Sequence, residues 1–352
     1  MIPLINKPSI FDVSSTDLAE VMVQWQQPAY RAEQIENWLY QRYVADPTQF
    51  MNLPKILRQQ LAESYHFTPL TSHLSIDSTD GHTHKTLFTL IDGRQIETVL
   101  MRYDKRYTLC ISTQAGCAMA CPFCATGQMG FMRNLTSGEI VAQVLHYARV
   151  LQGENLHVTN IVFMGMGEPL ANYAATWDAV RRLNDPLGFN LGARHMTIST
   201  VGLVPAIRRM SKEPEQIGLA VSLHAPNDEL RDTIVPINRR YPIAMLIQSI
   251  SDYIAVTKRR VTFEYALMDN LNDSEAQADE LAALISRLTC HVNLIPLNPT
   301  PNSPWSGSPD TRVYAFRDRL EAAGIPTTVR VRRGIDIAAG CGQLHNAVNE
   351  KG

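Results

Sequence analysis

Apolar residues recur at helical spacing along the first part of the chain. The run "SSTDLAEVMVQWQQ" begins with Ser, Thr and Asp, which cap helices well, and continues with apolar residues three or four positions apart. Two further runs repeat the pattern after turns that contain proline, "YRAEQIENWLYQRYV" and "PKILRQQLAESY". The pattern predicts a small helical accessory domain over residues 1–72.

The next segment alternates between apolar and polar residues, as β-strands do. It includes "HKTLFTLIDGRQIETVLMRY", with Asp92 and Gly93 between two alternating runs. An Asp-Gly pair in this position is a strong hairpin signal. We therefore expect a β-hairpin extension over residues 73–102.

After Tyr103, short apolar segments alternate with amphipathic segments. The strand-like and helix-like segments follow one another as "YTLCIS" and "SGEIVAQVLHYARVLQ", "VTNIVFMG" and "YAATWDAVRRLND", "RHMTISTV" and "VPAIRRMSK", "QIGLAVSLH" and "DELRDTI", "RVTFEYALM" and "SEAQADELAALISRL", "HVNLIPLN" and "TRVYAFRDRLEAAG", and a last run "IPTTVRVRR". Six strand–helix units predict an α/β fold, a partial (β/α)6, TIM-like barrel over residues 103–335. Its site should lie at the carboxyl ends of the strands, followed by a C-terminal tail over residues 336–352.

Composition narrows the class of protein. With 352 residues, of which 45% are hydrophobic and 19% charged, the chain can bury a sizeable core. No apolar run reaches the roughly 18 residues that span a bilayer, and the N-terminus lacks the features of a secretory signal. We therefore expect a cytoplasmic protein with reduced thiols and no membrane partner. The formal charge of −2 argues against bulk attraction to nucleic acid and leaves room for a local basic surface.

Half of the six cysteines lie in one short loop after the first strand of the barrel, namely Cys117, Cys121 and Cys124. Six cysteines are too few for a disulfide scaffold in a chain of this length, so the loop indicates chemistry. Clustered thiolates favour the binding of a soft metal, which could be zinc or the iron of an iron–sulfur cluster. A structural zinc site needs a fourth ligand, which Cys110 or Cys341 would have to supply. A four-iron cluster on three cysteines would instead keep one iron open for a small ligand.

The loop also resembles a known signature. The spacing Cys-x3-Cys-x-Phe-Cys is similar to that of radical S-adenosylmethionine (SAM) proteins, and "GCAMACPFCATGQMGFMRNLTSGEIVAQV" closely resembles the RlmN/Cfr family of RNA adenine methyltransferases. The resemblance runs from "YRAEQIENWLY" to "GIDIAAGCGQLH". It implies that residues 103–335 form a radical SAM core barrel. It also implies a [4Fe-4S] cluster held by Cys117, Cys121 and Cys124, and SAM as the second cofactor, two molecules being used per turnover.

A glycine-rich segment, "FMGMGEPL", follows the second strand of the barrel and contains Gly167 and Glu168. Glycine lets a ligand approach the backbone closely, and a carboxylate can accept hydrogen bonds from an ammonium group. The resemblance implies that these two residues bind SAM, together with further residues at strand ends: Ser199, Ser222, Leu223, His224 and Asn298. Taken singly, a polar residue at a strand end more often satisfies the local backbone.

Three residues outside the cluster acquire roles through the resemblance. Cys341 lies between two glycines in the tail, Cys110 lies in the first barrel strand, and Glu97 lies in the hairpin segment. The resemblance implies that Cys341 takes a methyl group from one SAM, and that a radical derived from a second SAM converts it to a methylene radical that adds to adenine. Glu97 would then accept the ring proton, and Cys110 would release the product as a disulfide with Cys341. On residue type alone, Cys110 fits a small core residue and Glu97 a solvated strand face.

The resemblance also implies the partners. It favours methylation of carbon 2 of an adenine in 23S rRNA and in tRNA, with an electron donor such as flavodoxin or ferredoxin and a monomeric enzyme. The alternatives are the Cfr-type methylation of carbon 8 and, in another class, a zinc-dependent RNA-binding protein without catalysis. Basic residues form local clusters, several of them next to predicted site loops, where they could contact phosphate. They are Arg102, Lys105, Arg106, Arg239, Arg240, Lys258, Arg259, Arg260, Arg330, Arg332 and Arg333. Taken singly, such a residue is more often part of a solvated face.

Overall fold

Three helices open the chain in the computed structural model, which describes residues 7–300 and 302–345. They are α1 (Ser15–Gln24), α2 (Tyr30–Glu36) and α3 (Lys55–Ser64). The side chain of Ser14 caps α1 by accepting a hydrogen bond from the Asp17 N–H at 3.0 Å. The helical interpretation of these three runs is confirmed. Residues 1–6 of the expected accessory domain and residues 346–352 of the expected tail lie outside the described residues.

The hairpin segment is part of a larger antiparallel unit. Strand β1 (Leu70–Asp77) pairs with β2 (Thr83–Leu90), which pairs with β3 (Gln95–Arg102) across the Asp-Gly turn. The predicted hairpin is therefore confirmed, and β1 adds a strand that begins inside the range 1–72. Strand β3 in turn pairs with the first strand of the barrel, β4 (Tyr107–Cys110). The extension and the barrel consequently share one continuous sheet.

A small unit follows β4 that the hydrophobic pattern does not predict. Strands β5 (Gln114–Gly116) and β6 (Phe131–Asn134) form an antiparallel pair, and the short helix α4 (Ala125–Gln128) lies between them. Elements of three or four residues are too short to show a periodicity. This unit encloses the loop with the three clustered cysteines.

The strand–helix alternation continues through the rest of the chain. The remaining elements are α5 (Ser137–Gly153), β7 (Asn160–Phe163), α6 (Tyr173–Asn184), β8 (Met196–Thr200), α7 (Val204–Met210), β9 (Gly218–Ser222), α8 (Asp228–Ile234), α9 (Ile243–Thr257), β10 (Val261–Leu267), α10 (Glu275–Ile285), β11 (Cys290–Pro296), α11 (Asp310–Ala322) and β12 (Thr327–Val329). Strands β4, β7, β8, β9, β10, β11 and β12 lie side by side and parallel, in that order. The predicted α/β partial barrel is confirmed, and α9 is an additional helix. Within the described ranges, no helix is long and apolar enough to cross a membrane.

Side chains alternate between the two faces of a barrel strand, and this alternation separates the core from the site. In β8, Met196 and Ile198 belong to the hydrophobic core. Thr197 and Ser199 point to the other face and line cavities inside the barrel. The period of two in a strand thus places alternate polar residues on the inner face, where the site is expected.

Arg182 on α6 joins the N-terminal helices to the barrel. Its guanidinium lies 2.5 Å from Oε1 of Glu36 on α2 and donates a hydrogen bond to the hydroxyl of Ser15 at 2.9 Å and another to the carbonyl of Val13. The side chains of Arg182 and Glu36 are 10% and 3% exposed. The pair is therefore largely shielded from water, and loss of one partner leaves the other without a counter-charge.

The substitution Arg182→Met should lower the free energy of unfolding by about 3–5 kcal/mol, because it leaves the Glu36 carboxylate buried and unpaired. Urea unfolding of the full chain measures this. The matched control is Arg181→Met, since the neighbouring guanidinium is about half exposed and pairs with Glu213 and Glu215. Such a surface pair contributes about 0–1 kcal/mol. Equal losses in the two variants would contradict the prediction.

Candidate functional site

A tight hairpin holds the loop with the three clustered cysteines. Strand β5 ends at Gly116, whose φ is +72°. A Cβ at this position would come within 1.9 Å of the carbonyl oxygen of Gly130, and the same carbonyl accepts a hydrogen bond from the Cys117 N–H at 2.9 Å. Glycine is required for so close a backbone approach. The hairpin thereby fixes the position of Cys117.

The three cysteines line one cleft at the carboxyl ends of the barrel strands, which we call the cysteine cleft; its empty space, open solvent included, is about 950 Å³. Burial raises the pKa of Cys117 to about 12. The pKa of Cys121 is also raised, first by burial and then by the charges of Cys124 and Cys117. The three sulfurs therefore lie close enough to influence one another electrostatically.

This donor set fits an iron–sulfur cluster. In residues 7–300 and 302–345, no three His, Cys, Asp or Glu side chains converge on the position of a single metal ion. A four-iron cluster needs a wider arrangement, since each cysteine binds a different iron. Iron also stabilises the thiolate forms that burial alone disfavours. Cys117, Cys121 and Cys124 are thus the residues that could hold such a cluster.

Gly167 and Glu168 follow β7 and line the cysteine cleft. Gly167 has a φ of +101°, and a Cβ there would come within 2.5 Å of the Gln114 side chain. The Glu168 carboxyl accepts hydrogen bonds from the N–H groups of Leu170 at 3.0 Å and Val201 at 2.9 Å. Burial raises the pKa of Glu168 to about 7. A bound ammonium group would therefore favour its carboxylate form.

The ends of β8 and β9 contribute further residues to this cleft. Ser199, Ser222 and His224 line it, whereas Leu223 is fully buried behind the wall. The N–H of Leu223 donates to the carbonyl of Glu264 at 3.0 Å. The structure thus brings three of these four expected SAM-binding residues to the cleft surface.

His224 has a structural environment that keeps it neutral. Its Nδ1 accepts a hydrogen bond from the Ala266 N–H at 3.0 Å, and its ring packs edge-on against Phe123 with 5.1 Å between centroids. Burial lowers the pKa of His224 to about 3. His224 therefore supplies shape and hydrogen bonding to the cleft, and no positive charge.

Asn298 and Cys341 lie between the cysteine cleft and a second cavity, and they line both. The empty space of the second cavity, open solvent included, is about 760 Å³. The Asn298 Nδ2 donates to the carbonyl oxygen of Cys341 at 3.2 Å. Its buried Oδ1 finds no hydrogen-bond partner among the described residues, so an acceptor remains for a ligand.

Cys110, at the end of β4, lines the second cavity together with Cys341. Both residues are free thiols in the structure. Burial, and then the charge of Cys341, raise the pKa of Cys110 to about 12. Cys110 and Cys341 therefore share one cavity, and each lies within electrostatic influence of the other.

Glu97 lies on β3 and its side chain is 2% exposed, so the solvated-face alternative is wrong. Its Oε1 lies 2.9 Å from the ammonium of Lys85, and its Oε2 accepts a hydrogen bond from the backbone N–H of His345 at 2.9 Å. Val99, two residues further along the same strand face, lines the second cavity. The C-terminal tail thus covers Glu97 beside that cavity.

Glu264 is a residue of the cleft that the sequence pattern does not single out. It lies on β10, and its Oε2 has no hydrogen-bond partner in the described part of the chain. The nearest cation is Arg330, at 4.0 Å. The prediction that Arg330 contacts phosphate does not agree with its position, because Arg330 faces inward and lines the cysteine cleft. The charge of Cys341, and then that of Glu264, raise the pKa of Arg330. A lone carboxylate in the apolar run "VTFEYAL" is the signal that could have identified Glu264.

Arg231 is a second residue that the pattern does not reveal. Its fully buried guanidinium donates hydrogen bonds to the carbonyls of Val201 at 2.7 Å, Leu223 at 3.0 Å and Ser222 at 3.1 Å. It therefore ties the end of β8 to the end of β9. Its position in an ordinary amphipathic helix, α8, gives no hint of this role.

Cations near the mouth of the second cavity surround one aromatic ring. Arg332, Arg333 and Tyr103 all line the cavity. The guanidinium carbons of Arg106 and Arg333 lie 4.2 and 4.6 Å from the centroid of the Tyr103 ring. Arg102, in contrast, pairs with Glu154 at 2.6 Å, so its charge is compensated.

Comparisons with known proteins agree with this geometry. Residues 111–282 match the Radical SAM superfamily, and residues 9–66 match the ribosomal RNA large subunit methyltransferase N-terminal domain. The chain is 50% identical over 346 residues to a protein of Chloroflexus aurantiacus named "Probable dual-specificity RNA methyltransferase RlmN", covering 95% of this chain and 92% of the relative. A protein of Frankia alni with the same name is 50% identical over 342 residues, covering 95% and 82%.

A solved structure shares the whole architecture. The crystal structure of a radical SAM methyltransferase from Sphaerobacter thermophilus superimposes with a TM-score of 0.94 at 52% sequence identity, covering 96% of this chain and 99% of the other. Identity at this level over nearly the full length of both chains establishes common membership. The chain belongs to the RlmN family of radical SAM RNA methyltransferases.

Proposed function

We propose that this chain methylates carbon 2 of a specific adenine in 23S rRNA and in tRNA, through a methylated Cys341 and a transient covalent link between protein and RNA. The observation that carries this proposal is the position of Cys341 between the cysteine cleft and the second cavity. A thiol there can receive a group from one cavity and deliver it into the other. The name of the relatives, a dual-specificity RNA methyltransferase, supports more than one RNA substrate.

The family uses SAM and a four-iron cluster, and the cysteine cleft offers groups suited to both. In this proposal Cys117, Cys121 and Cys124 hold the cluster and leave one iron open to SAM. The SAM-binding residues would be Gly167, Glu168, Ser199, Ser222, Leu223, His224 and Asn298. The enzyme would act as a cytoplasmic monomer and take electrons from a donor such as flavodoxin or ferredoxin.

Held by the residues named above, the cluster and SAM would supply a methyl group for Cys341 from one SAM and, with a second SAM, the radical chemistry that takes one hydrogen atom from that methyl group. The target carbon of adenine is electron-poor and does not attack a methyl group directly. Cys341 therefore holds the activated carbon on its sulfur and directs it at the ring. The new carbon–carbon bond joins the RNA to the protein through Cys341.

Glu97 and Cys110 complete the reaction in this proposal. Addition of the methylene radical to the ring leaves one unpaired electron on the adduct. Glu97 accepts the proton from the ring carbon as general base, and the unpaired electron would return to the oxidised cluster, which restores the aromatic ring. The sulfur of Cys110 then attacks the sulfur of Cys341, and a disulfide forms as the bond between Cys341 and the methylene carbon breaks. The electron pair of that bond stays with the carbon, which takes up a proton and becomes the methyl group. Both cysteines line the second cavity, which supports this order of events.

Nucleoside mass spectrometry tests the proposed product. Ribosomal RNA and tRNA from a host that lacks the modification are incubated without oxygen with the reconstituted enzyme, SAM and a reductant. We expect 2-methyladenosine in both RNAs, and none with Cys341→Ala. The product 8-methyladenosine would instead support the Cfr-type alternative. A colourless, iron-free protein that binds RNA without modifying it would support the zinc alternative.

The substitutions Cys117→Ala, Cys121→Ala and Cys124→Ala should each abolish retention of the cluster, because two remaining thiolates cannot hold it. Iron and sulfide analysis with electron paramagnetic resonance of the reduced protein measures this. The matched control is Cys290→Ala, since Cys290 is a buried thiol at the start of β11, within the hydrophobic core. Wild-type iron content in any of the three cluster variants would contradict the ligand assignment.

The substitutions Glu97→Gln and Cys110→Ala should each stop the reaction after the RNA is attached. Loss of a general base slows a step by about 10²–10⁴-fold, so the protein–RNA adduct should accumulate. A denaturing gel that separates free RNA from adduct measures it, with Cys290→Ala as the control that accumulates none. Rapid product release by Glu97→Gln would show that another group takes the proton.

A further inference from the structure

Lys85 is a buried lysine that takes no part in the reaction steps proposed above. It lies on β2, and its side chain is 7% exposed. Its ammonium lies 2.9 Å from Oε1 of Glu97 and donates a hydrogen bond to the carbonyl of Ala338 at 3.2 Å. A lysine is almost never buried this deeply without a partner of opposite charge.

The sheet register explains why the two side chains meet. Strands β2 and β3 pair with Lys85 opposite Val99 and Leu87 opposite Glu97. Lys85 and Glu97 are therefore diagonal neighbours on one face of the antiparallel pair, within reach of a long side chain. The pairing of the strands, and no local motif, brings the ammonium to the carboxylate.

The same two residues hold the C-terminal tail on both sides of Cys341. Lys85 binds the carbonyl of Ala338, which precedes Cys341, and Glu97 Oε2 accepts the N–H of His345, which follows it. The ion pair thus forms a clamp on the segment that carries the reactive thiol. Oε1 stays with the ammonium, whereas Oε2 becomes available whenever His345 moves away.

The ammonium also fixes the orientation of the Glu97 side chain. Oε1 is held by Lys85 at 2.9 Å, so the carboxyl group cannot rotate freely and Oε2 stays directed at the tail. A general base has to lie within hydrogen-bond reach of the proton that it removes. The lysine therefore keeps the accepting oxygen of Glu97 on the side where Cys341 lies.

We propose that Lys85 is a positioning residue for the proton-removal step: it orients the side chain of Glu97 and, through Ala338, helps to hold the tail with Cys341 beside it. This inference rests on the proposed role of Glu97 as the base. In that step the C–H bond of the ring carbon breaks, the proton goes to Oε2 of Glu97, and the electron pair stays on the adduct. Lys85 does not touch the substrate and gives up no proton.

The test separates attachment of RNA from its release. The full-length enzyme with reconstituted cluster is mixed with substrate RNA and SAM for a single turnover, and the adduct is followed on denaturing gels over time. With Lys85→Met we expect the adduct to form at close to the wild-type rate, because the hydrogen bonds of Ala125 and Thr126 still hold the tail next to Cys341. Release should be about 10-fold or more slower, since the base is no longer oriented. Lys85→Arg, which restores the cation, should recover most of the release rate.

The matched control is Lys55→Met, because Lys55 is an exposed lysine on α3, far from the tail in the fold's N-terminal helices. It should form and release the adduct as the wild type does. Hydrogen exchange of the peptide around residues 336–345 gives a readout that needs no turnover. We expect faster exchange there in Lys85→Met and in Lys85→Gln, with unchanged exchange in the barrel strands.

Three results would overturn the inference. They are wild-type release by Lys85→Met, equal slowing of attachment and release as a purely structural defect would give, and failure of Lys85→Arg to restore release. Glu97→Gln is run alongside to separate the two proposals. Slow release by Glu97→Gln with fast release by Lys85→Met removes the role of Lys85 alone. Fast release by Glu97→Gln removes the base itself, and with it the inference.

Discussion

Hydrogen bonds between the C-terminal tail and the start of α4 fix the geometry on which the whole site depends. The N–H of Ala125 donates to the carbonyl of Gly342 at 2.7 Å, and the hydroxyl of Thr126 donates to the carbonyl of Leu344 at 2.6 Å. Both donors come directly after the last of the three clustered cysteines. The loop that would hold the cluster and the tail that carries Cys341 are therefore anchored to each other.

The tail is held by several weak contacts together. Each hydrogen bond contributes about 0.5–1.5 kcal/mol, and five such bonds reach Ala338, Cys341, Gly342, Leu344 and His345. The wall of the cysteine cleft is held differently, because one buried side chain, Arg231, binds three carbonyls of two strand ends at once. Loss of one tail contact therefore leaves the other four in place, whereas loss of Arg231 would free both strand ends together.

The sequence predicts those parts of the molecule that repeat. Strand–helix alternation, helical spacing and the Asp-Gly turn are periodic or local signals, and the structure confirms the elements that they predict. The loop with the three clustered cysteines can be recognised from its own sequence, because three thiols lie within eight residues. Strands β5 and β6 could not be predicted, since three or four residues define no period.

Buried charged residues could not be predicted from these periodic and local signals. The pairing of Lys85 with Glu97 arises from strand register, and the inward position of Arg330 arises from packing around Cys341. Neither leaves a trace in composition or spacing, because Lys and Arg in a half-polar strand look like solvent-facing residues. When such a Lys or Arg side chain is buried, it acts as a counter-charge within the site and no longer as a surface charge.

Burial of charged side chains also affects what the net charge of the chain indicates about its surface. A formal charge of −2 suggests weak attraction to RNA, but that sum includes inward-facing charges of both signs, such as Lys85 with Glu97 and Arg330 with Glu264. It therefore does not describe the surface. Phosphate contacts depend on cations at the surface, and each such contact adds to the salt dependence of binding. The cations around Tyr103 at the mouth of the second cavity are concentrated where a flipped base would have to enter. If this local group contacts phosphate, the sign of the whole chain is a poor guide to the affinity for RNA.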